Sequence, residues 1–538
     1  MRILVFHGYL LGGTGSNVYN ARLAAALVAL GHHVHLLCQE RHPDVHAFVD
    51  AAGDWEDGSL RVMALREPVR CTVYRPDIGS LLPVYVADRY EGVEARTFAD
   101  CSDSEVLAYL QANVEAVREV AARVEPQLAL ANHLVMGPAI LARGLSGEVP
   151  YAVKVHGSAL EYTVKAQPER FLPFAREGLD RARTVLVGSR HTAESLWQTI
   201  ADPELPRRTR LGPPGVDVEL FSPREPAQAA LGLRALARRL RAGGARTRAG
   251  EDAFARDERA AGEQLTRVDP ERDRLVAFVG KLIVSKGADL LLAAWPLVIA
   301  REPRARLLVV GFGAYRRTLE ELLGALGAGD IARAKEIAQA GRALEDASQP
   351  AAPLSYLLSF LHSLEGDELA RYVRAAASLY EAVLFTGRLD HDELAEVLPA
   401  CEAMVVPSTF PEAFGMVAAE AAACGALPVS AAHSGLAEVS AVLAAALPAQ
   451  TTRMLSFAVD DDAVRALAAR VIAWLEAGAQ LRQRARSALV ATVREHWSWE
   501  GVARGVIAAA QGQLEGLQEP GSPAAGQGGD RPGARTFG

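Results

Sequence analysis

The chain alternates short apolar runs with longer stretches in which apolar residues recur every three or four positions. In the first half this pattern predicts strands at residues 2–6, 33–38, 128–133, 151–157 and 184–189, and helices at 16–30 and 104–124. Strands that alternate with helices predict a parallel, doubly wound sheet. Because such sheets bind ligands at the carboxyl ends of their strands, the polar residues that follow the apolar runs become candidate site residues.

A second α/β pattern begins near residue 274. It predicts apolar strand regions within residues 274–287, 306–313, 382–389, 403–408 and 426–431. Between the two patterns, the Pro-Pro-Gly turn at 213–215 is typical of a hinge. We therefore predict an N-terminal Rossmann-like domain over 1–215 and a C-terminal one over 216–496, with a cleft between them.

Two stretches interrupt the second pattern. Residues 224–274 are rich in Arg, Ala, Glu and Gly and show no firm core pattern, which predicts a partly helical insertion. Residues 314–380 are Ala-rich and longer than a simple crossover needs, which predicts a helical insertion whose role stays open. A last helix is predicted over 497–517, and the Gly/Pro-rich residues 518–538 are predicted to be a disordered tail.

Composition narrows the class of protein. A chain of 538 residues is too long for one core, and 50% hydrophobic residues with a mean hydropathy of +0.07 indicate globular domains. The net charge of −8 argues against a general nucleic-acid binder. No apolar run approaches the roughly 18–20 residues of a membrane span. Five scattered cysteines without a CxxC pair favour a reducing, cytoplasmic compartment.

Two charged segments allow other interpretations. Residues 234–248 are strongly basic with apolar residues between the charges, which is compatible with peripheral contact to anionic lipid headgroups. A solvated helical face is the favoured alternative because acidic residues follow at once. The acidic residues 460–462 are consecutive and so do not converge on one ion; we predict that they precede a helix. No His or Cys spacing fits a zinc site, so no metal site is predicted.

The most informative segment is PEAFGMVAAEAAACG at residues 411–425, in which seven residues separate Glu412 from Glu420. Gly415 allows the backbone to approach a ligand closely. The helix predicted to begin there directs its unpaired N–H groups and positive dipole end toward that ligand, which suits a phosphate. Two carboxylates beside an anion site suit the hydroxyl groups of a sugar attached to that phosphate.

A glycine-rich segment, which contains Gly12, Gly13 and Gly15, follows the first strand. A dinucleotide-binding turn requires its glycines almost directly after the strand, whereas about six residues intervene here. Glu40 falls where a ribose-binding acid would lie, so an NAD site remains the less favoured alternative. We favour a flexible loop that faces the interdomain cleft and contacts a diphosphate.

Two further candidate sites follow predicted strands. Lys281 and Lys286 lie in GKLIVSKG, where two ammonium groups bracketed by glycines suit a diphosphate leaving group. The alternative for this segment is an ordinary strand-to-helix loop with solvated lysines. His156 ends a strand and precedes Gly157 and Ser158, which favours a site histidine, although a lone histidine is more often packed or solvated.

Together these segments resemble the retaining glycosyltransferases of family 4, which have the two-domain GT-B fold. The Glu-x7-Glu run is the most specific element, and GKLIVSKG is similar to that family's Gly-Arg-x-x-x-x-Lys-Gly stretch, with Lys281 in place of the Arg. Lysine keeps the charge but lacks the bidentate fork of arginine. Segments similar to the family also occur, in order, at 12–20, 153–163, 188–196, 213–221 and 497–503. In that family the last helix crosses back to the first domain.

The resemblance implies a role for each candidate. Glu412 would hold donor-sugar hydroxyls, Glu420 would hold the nucleotide ribose, and His156 would lie near the reaction centre. Diphosphate or sugar contacts are implied for Gly12, Gly13, Lys281, Lys286, Phe414, Gly415 and Met416. The implied catalytic residues are His156, Glu412 and Lys286. The family generally needs no metal, so no cofactor is implied beyond the nucleotide-diphosphate sugar that serves as substrate.

We therefore predict a hexosyltransferase that moves a sugar from a nucleotide-diphosphate donor to an acceptor hydroxyl and retains the anomeric configuration. Because no carboxylate is evidently placed as a nucleophile, we favour front-face departure, in which the leaving phosphate takes the acceptor's proton. Two alternatives stay open: a nucleotide-sugar epimerase of the same fold, and a non-catalytic binding protein. The base, the sugar and the acceptor (a carbohydrate, a lipid or a small molecule) are not predicted.

Overall fold

A computed structural model describes residues 1–12, 15–86, 94–243, 257–344 and 352–521 of the chain. Gly13, one of the predicted phosphate-contacting residues, lies outside the described residues, as do residues 244–256, which hold the end of the basic segment and the first of the acidic residues that follow it. Within the described ranges, every helix is too short or too polar to cross a membrane.

The N-terminal half forms a parallel sheet with one antiparallel edge. Its strands, including a separate pair formed by β6 and β7, are β1 (Arg2–Phe6), β2 (His33–Leu37), β3 (Ala51–Glu56), β4 (Ser59–Ala64), β5 (Cys71–Arg75), β6 (Leu81–Val84), β7 (Glu94–Thr97), β8 (Leu128–Asn132), β9 (Tyr151–Val155), β10 (Thr184–Val187) and β11 (Thr209–Leu211). In the described residues the main sheet has the order β11-β10-β9-β8-β1-β2-β5-β3-β4, and β4 is antiparallel to β3. The strands predicted in this half are confirmed to within two residues.

The C-terminal half forms a second, fully parallel sheet. Its strands are β12 (Arg274–Val279), β13 (Ala305–Val310), β14 (Val383–Gly387), β15 (Ala403–Val406), β16 (Leu427–Ala431) and β17 (Ser456–Phe457). Their order in the described residues is β14-β13-β12-β15-β16-β17. The predicted pair of Rossmann-like, doubly wound sheets is thus confirmed.

Helices cover both faces of each sheet. Those of the first half are α1 (Gly15–Ala29), α2 (Asp103–Val124), α3 (Gly137–Gly144), α4 (Pro168–Asp180) and α5 (Arg190–Ile200). Those that follow are α6 (Pro226–Ala242), α7 (Glu258–Leu265), α8 (Ala288–Ile299), α9 (Arg316–Gly327), α10 (Ile331–Ala340), α11 (Ser355–Ser363), α12 (Gly366–Ala376), α13 (Leu379–Ala382), α14 (His391–Val397), α15 (Met416–Ala423), α16 (Ser434–Ala446), α17 (Ala449–Thr452), α18 (Ala463–Leu475), α19 (Ala479–His496) and α20 (Trp499–Gln511). Short 3₁₀ or π turns occur at Pro43–Val45, Leu160–Val164, Pro206–Arg208, Val284–Lys286, Arg342–Leu344 and Leu398–Ala400.

The chain crosses between the two halves twice, and the two crossings lie side by side. The backbone N–H of Val216 donates to the carbonyl of Trp497 at 2.7 Å, just after the Pro-Pro-Gly turn. Helix α20 then packs on the N-terminal sheet, where Val506 joins the core that contains Ile3 and Val5. The division at residue 215 stays a prediction, but each sheet lies wholly on one side of it.

The start of the predicted disordered tail is ordered. The carbonyl of Gln518 accepts a hydrogen bond from the N–H of Leu211 at 2.7 Å, and Glu519 pairs with Arg210 at 3.4 Å. Pairing with the edge strand β11 explains this order, because an edge strand presents unpaired backbone groups. The rest of the tail, residues 522–538, lies outside the described residues.

The sequence-based interpretation of residues 224–274 is wrong in one respect, because these residues do contribute to the core. Leu233, Leu236 and Leu240 of α6 are buried in the C-terminal core. The arginines between these leucines obscured the apolar face in the sequence. Arg234 pairs with Asp269 at 3.2 Å and with Glu271 at 3.0 Å, as expected of a solvated helical face.

We predict that truncating the buried face of α6 destabilises the protein. Leu236 is 1% exposed, so Leu236→Ala should lower the free energy of unfolding by about 2–5 kcal/mol. Leu231 lies on the same helix and is 61% exposed, so Leu231→Ala should change it by about 0.5 kcal/mol or less. Urea unfolding measures both; equal effects would contradict the assignment of α6 to the core.

Candidate active site

The topology places the loops after β12 and β15 side by side at a switch point of the C-terminal sheet. In the N-terminal sheet, β1 lies between β2 and β8. The chain first adds strands on the β2 side of β1 and later adds β8 on the other side, so the strand order reverses at β1. In the C-terminal sheet, β12 lies likewise between β13 and β15. Ligands of doubly wound sheets bind at such switch points, outside the carboxyl ends of the strands. Lys286 follows β12 and Glu412 follows β15, so these two candidates come from adjacent loops.

Lys286 and Glu412 form an ion pair. The ammonium of Lys286 donates to Oε1 of Glu412, and Ser408 Oγ donates to the same oxygen at 2.6 Å. The two charged side chains are 31% and 22% exposed, so a ligand can reach both. The hydrogen bonds that the described residues donate to this carboxylate go to Oε1, and none goes to Oε2. The pair can therefore offer a cation to an anion and a carboxylate oxygen to a hydroxyl group.

Gly287 lets the lysine loop approach the glutamate loop. Its φ of 66° is in the left-handed region, and a Cβ there would overlap the carbonyl oxygen of Pro407. The N–H of Thr409 also donates to the carbonyl of Ser285 at 2.9 Å. These contacts explain why a cation after β12 meets a carboxylate after β15.

The backbone of Glu412 is fixed by the start of α16. Its N–H donates to Ser434 Oγ at 2.9 Å, and its carbonyl accepts from the N–H of Gly435 at 2.9 Å. Sequence reasoning missed Ser408, His433 and Ser434 as supports of Glu412. The available signal was the run His-Ser-Gly at 433–435, one residue beyond the predicted strand at 426–431.

Helix α15 begins at Met416, as the sequence predicted for this region. Gly415 has a φ of 124°, and a Cβ there would lie 2.7 Å from Cδ2 of Leu436. The unpaired N–H groups and the positive dipole end of the helix therefore lie next to the Glu412 loop. Phe414 is buried and its ring packs edge-on against Trp497, with the centroids 5.4 Å apart.

Glu420 lies in a small interdomain pocket, apart from Glu412. It is 5% exposed, and its Oε1 is 3.5 Å from Nε2 of His391. The hydrogen bond from His391 to Glu420 raises the pKa of His391 above its ordinary value, against the opposing effect of burial. The pocket is lined by Val18, Arg22, Gly215, Asp217, Phe221, His391, Met416, Glu420 and Trp499. The two predicted glutamates thus belong to two neighbouring parts of one crevice.

His156 lies at the carboxyl end of β9 in the N-terminal half. Its Nε2 is 2.9 Å from Oδ1 of Asn132, and its ring packs against those of Tyr19 and His133. Burial lowers the pKa of His156 well below its usual range, and so does the nearby His133. A neutral His156 can donate or accept a hydrogen bond, but it brings no positive charge to the crevice.

Glu40 supports the glycine-rich loop. Its carboxylate accepts hydrogen bonds from the N–H groups of Leu11 at 3.1 Å and of His42 at 3.0 Å. Burial alone would raise the pKa of Glu40, but hydrogen bonds from His46 and these amides lower it to about 2. Because both oxygens are occupied by the protein, this geometry argues against Glu40 as a ribose-binding acid of an NAD site. Gly12, within this loop, is exposed.

Lys281 is exposed in the loop after β12. The structure gives it no described contact with Lys286, Glu412 or Glu420, so its predicted diphosphate contact stays a prediction.

The two halves touch beside the Glu412 loop. The carboxylate of Glu438, on α16, accepts from the N–H of Arg190 at 2.8 Å and from that of His191 at 3.2 Å. These amides begin α5 of the N-terminal half, where the positive dipole end favours a carboxylate. Sequence reasoning missed this contact, because nothing local marks a glutamate that caps a helix of the other domain.

No group of three or more His, Cys, Asp or Glu residues is arranged to hold a metal ion in the described residues. The acidic residues 460–462 directly precede α18, as predicted.

Comparisons with known proteins agree with this architecture. Residues 14–209 match the model of a "Glycosyl transferase 4-like domain", and residues 365–488 match that of "Glycosyl transferases group 1". A D-inositol 3-phosphate glycosyltransferase of Segniliparus rotundus is 28% identical over 311 residues, which are 58% of this chain and 48% of that protein. One from Mycobacterium sp. strain KMS is 31% identical over 34% of this chain and 30% of that protein. The chain therefore spans about half, or less, of the length of these relatives.

Solved structures show the same fold. Sucrose-phosphate synthase from Thermosynechococcus elongatus superposes with a TM-score of 0.54 at 20% identity, over 95% of this chain and 98% of that chain. The Anabaena protein HepE, in complex with UDP and glucose, gives 0.53 at 15% identity over 95% and 99%. Starch synthase IV from Arabidopsis thaliana, bound to ADP and acarbose, gives 0.56 at 12% identity over 95% and 98%. At these identities the likeness shows the GT-B fold alone.

We predict that the His391–Glu420 pair makes stability depend on pH. Because the pKa of His391 is raised in the folded protein, the pair stabilises the fold fully below the ordinary pKa of about 6.5. That contribution is lost as pH rises through the raised pKa. The melting temperature of His391→Gln should therefore fall below that of wild type by more at pH 5.5 than at pH 8.5.

His362→Gln, at an exposed site on α11, supplies the control for the loss of an imidazole. Differential scanning calorimetry from pH 5.5 to 8.5 measures both variants. A His391→Gln difference that stays constant or grows with pH would contradict the pairing.

Proposed function

We propose that this chain, a GT4-type glycosyltransferase by its two matched domains, transfers a hexose from a nucleotide-diphosphate donor to an acceptor hydroxyl and retains the anomeric configuration. The observation that carries the proposal is the partly exposed Lys286–Glu412 pair beside the start of α15, at the switch point of the C-terminal sheet. A sugar linked to a diphosphate is one of the few ligands that can bind a cation, a helix N-terminus and an available carboxylate oxygen at the same time.

The diphosphate would bind at the cationic end of this arrangement. Lys286 and the N–H groups at the start of α15 supply positive charge where the leaving group becomes more negative. Fixed charge of this kind is the contribution that a metal ion makes in other phosphate enzymes, so we propose that the transferase is independent of metal. The amides around Phe414, Gly415 and Met416 would complete the contacts.

Glu412 would hold the donor sugar through Oε2. A charged acceptor oxygen makes stronger hydrogen bonds to hydroxyl groups than a neutral one does. Glu420 would hold the ribose in the neighbouring pocket, with His391 beside it. HepE was solved with UDP and starch synthase IV with ADP, which supports a nucleoside diphosphate as the ligand of this crevice.

His156 and the glycine-rich loop would approach the donor from the N-terminal half. The contact of Glu438 with α5 brings this half against the Glu412 loop, and the Pro-Pro-Gly turn supplies the hinge for closure. We favour front-face departure, in which the leaving phosphate takes the acceptor's proton. The neutral state of His156 agrees with a contact to sugar hydroxyls.

The acceptor is an unspecified hydroxyl compound. The relatives named D-inositol 3-phosphate glycosyltransferases make D-inositol 3-phosphate the first acceptor to test. We place the activity in the cytoplasm, supported by five buried, free cysteines. The carboxylate partners of Arg234 favour a solvated face over a lipid-binding one.

We predict that Glu412→Gln lowers sugar transfer by about 100-fold or more, because the amide keeps the shape but removes the charge that holds sugar and lysine. Glu495→Gln, on the exposed face of α19, is the matched control and should leave transfer unchanged. Initial rates with nucleotide sugars and an acceptor panel measure both, with circular dichroism to confirm folding. Wild-type turnover in Glu412→Gln would refute the proposal, and consumption of donor without an acceptor would favour the epimerase.

We also predict that one of UDP, GDP and ADP raises the melting temperature by mass action, and that Glu420→Gln reduces this rise. The reduction follows because the amide loses the charged acceptor for the ribose hydroxyls. A thermal-shift panel measures the rise in both proteins. The proposed nucleotide site would be wrong if none of the three stabilised the wild type, or if Glu420→Gln kept the full shift.

A further inference from the structure

His433 lies directly before α16, at the carboxyl end of the strand next to β15. Its Nε2 is 2.8 Å from the carbonyl oxygen of Ser408. A carbonyl oxygen has no proton to give, so Nε2 carries the hydrogen and donates it. In the neutral ring Nδ1 is then an acceptor, and it lies 3.0 Å from Ser434 Oγ.

These contacts close a ring of hydrogen bonds around Glu412. The N–H of Glu412 donates to Ser434 Oγ at 2.9 Å, and the Ser434 hydroxyl can donate to Nδ1 of His433. Nε2 of His433 donates to the carbonyl of Ser408, whose own hydroxyl donates to Oε1 of Glu412 at 2.6 Å. Each bond in the ring has one donor and one acceptor. His433 is the member that links the serine at the backbone of Glu412 to the serine at its carboxylate.

The backbone beside His433 is strained in a way that supports this arrangement. Ser434 has a φ of 50°, in the left-handed region that non-glycine residues rarely adopt. Such a conformation is unfavourable for a non-glycine residue and persists only where surrounding contacts impose it. Here the strained residue is the one whose hydroxyl receives the N–H of Glu412.

We infer that His433 is a positioning residue for Glu412, an inference that rests on the proposed function. By holding Ser408 and Ser434 together, His433 keeps Oε1 directed at Lys286 and leaves Oε2 for the donor sugar. Without the imidazole, both serines lose a partner and the carboxylate gains rotational freedom. A displacement of about 1 Å at such a group lowers the rate about 100-fold. Glu420, about one turn along α15, is outside the ring, so nucleotide binding is unaffected.

The test compares His433→Ala, His433→Asn and His433→Gln. His433→Ala should lower kcat about 10- to 100-fold with little change in the Kd of the nucleoside diphosphate measured by calorimetry. Asn restores a polar atom near the position of Nδ1, and Gln restores one near Nε2, so each should recover part of kcat. His362→Ala, at an exposed site on α11, is the matched control and should retain wild-type kcat.

A double-mutant cycle with Glu412→Gln separates positioning from a general structural role. If His433 acts through Glu412, His433→Ala should lower the rate much less in the Glu412→Gln background than in wild type. Equal fold-losses in the two backgrounds would overturn the inference. So would wild-type kcat in His433→Ala, or a loss of nucleotide affinity that parallels the loss of kcat.

A crystal structure of His433→Ala tests the inference without an activity measurement. The inference predicts that Glu412 loses the hydrogen bond from Ser408 to its carboxylate or the one from its backbone N–H to Ser434; a Glu412 that keeps both would overturn it. If the proposed function itself is wrong, the result differs, because the wild-type protein then neither transfers a sugar nor binds a nucleoside diphosphate.

Discussion

The contact between Lys286 and Glu412 is the interaction on which the candidate site depends. A half-buried carboxylate is costly unless hydrogen bonds and a counter-charge compensate for lost hydration, and here Lys286 and Ser408 supply both at one oxygen. In the proposed function, an incoming diphosphate competes for the lysine while sugar hydroxyls reach the second oxygen. The same two charges therefore stabilise each other and, in the proposed function, receive the donor. Glu412 must therefore keep its position when the diphosphate also binds Lys286.

The fold meets that requirement through strand adjacency. Because β12 and β15 are neighbours at the switch point, the loops after them meet without any long excursion of the chain. Gly287 permits the close approach, and α16 fixes the backbone of Glu412 from the other side. One turn along, α16 also carries Glu438 to α5 of the N-terminal half. A single helix thus contacts both the backbone of Glu412 and the opposite domain, which links the geometry of the site to closure of the crevice.

Much of this could be predicted from the sequence, because the informative features are local. Apolar runs marked the strands, and the spacing of Glu412, Gly415 and Glu420 indicated a loop followed by a helix. The pairing of Lys286 with Glu412 was not predictable, because 125 residues separate them and only the order of the parallel strands brings them together. The burial of Leu236 was hidden by the arginines around it. The run His-Ser-Gly after the predicted strand marks the place of His433, but it does not specify the two hydrogen bonds that link His433 to Ser408 and Ser434.

A crystal structure with a non-hydrolysable nucleotide-diphosphate sugar would test the central claim most directly. The account predicts the diphosphate at Lys286 and the start of α15, with a sugar hydroxyl within about 2.6–3.2 Å of the Glu412 carboxylate. It would be contradicted by a donor bound elsewhere, or by one bound in the crevice while its sugar makes no contact with Glu412.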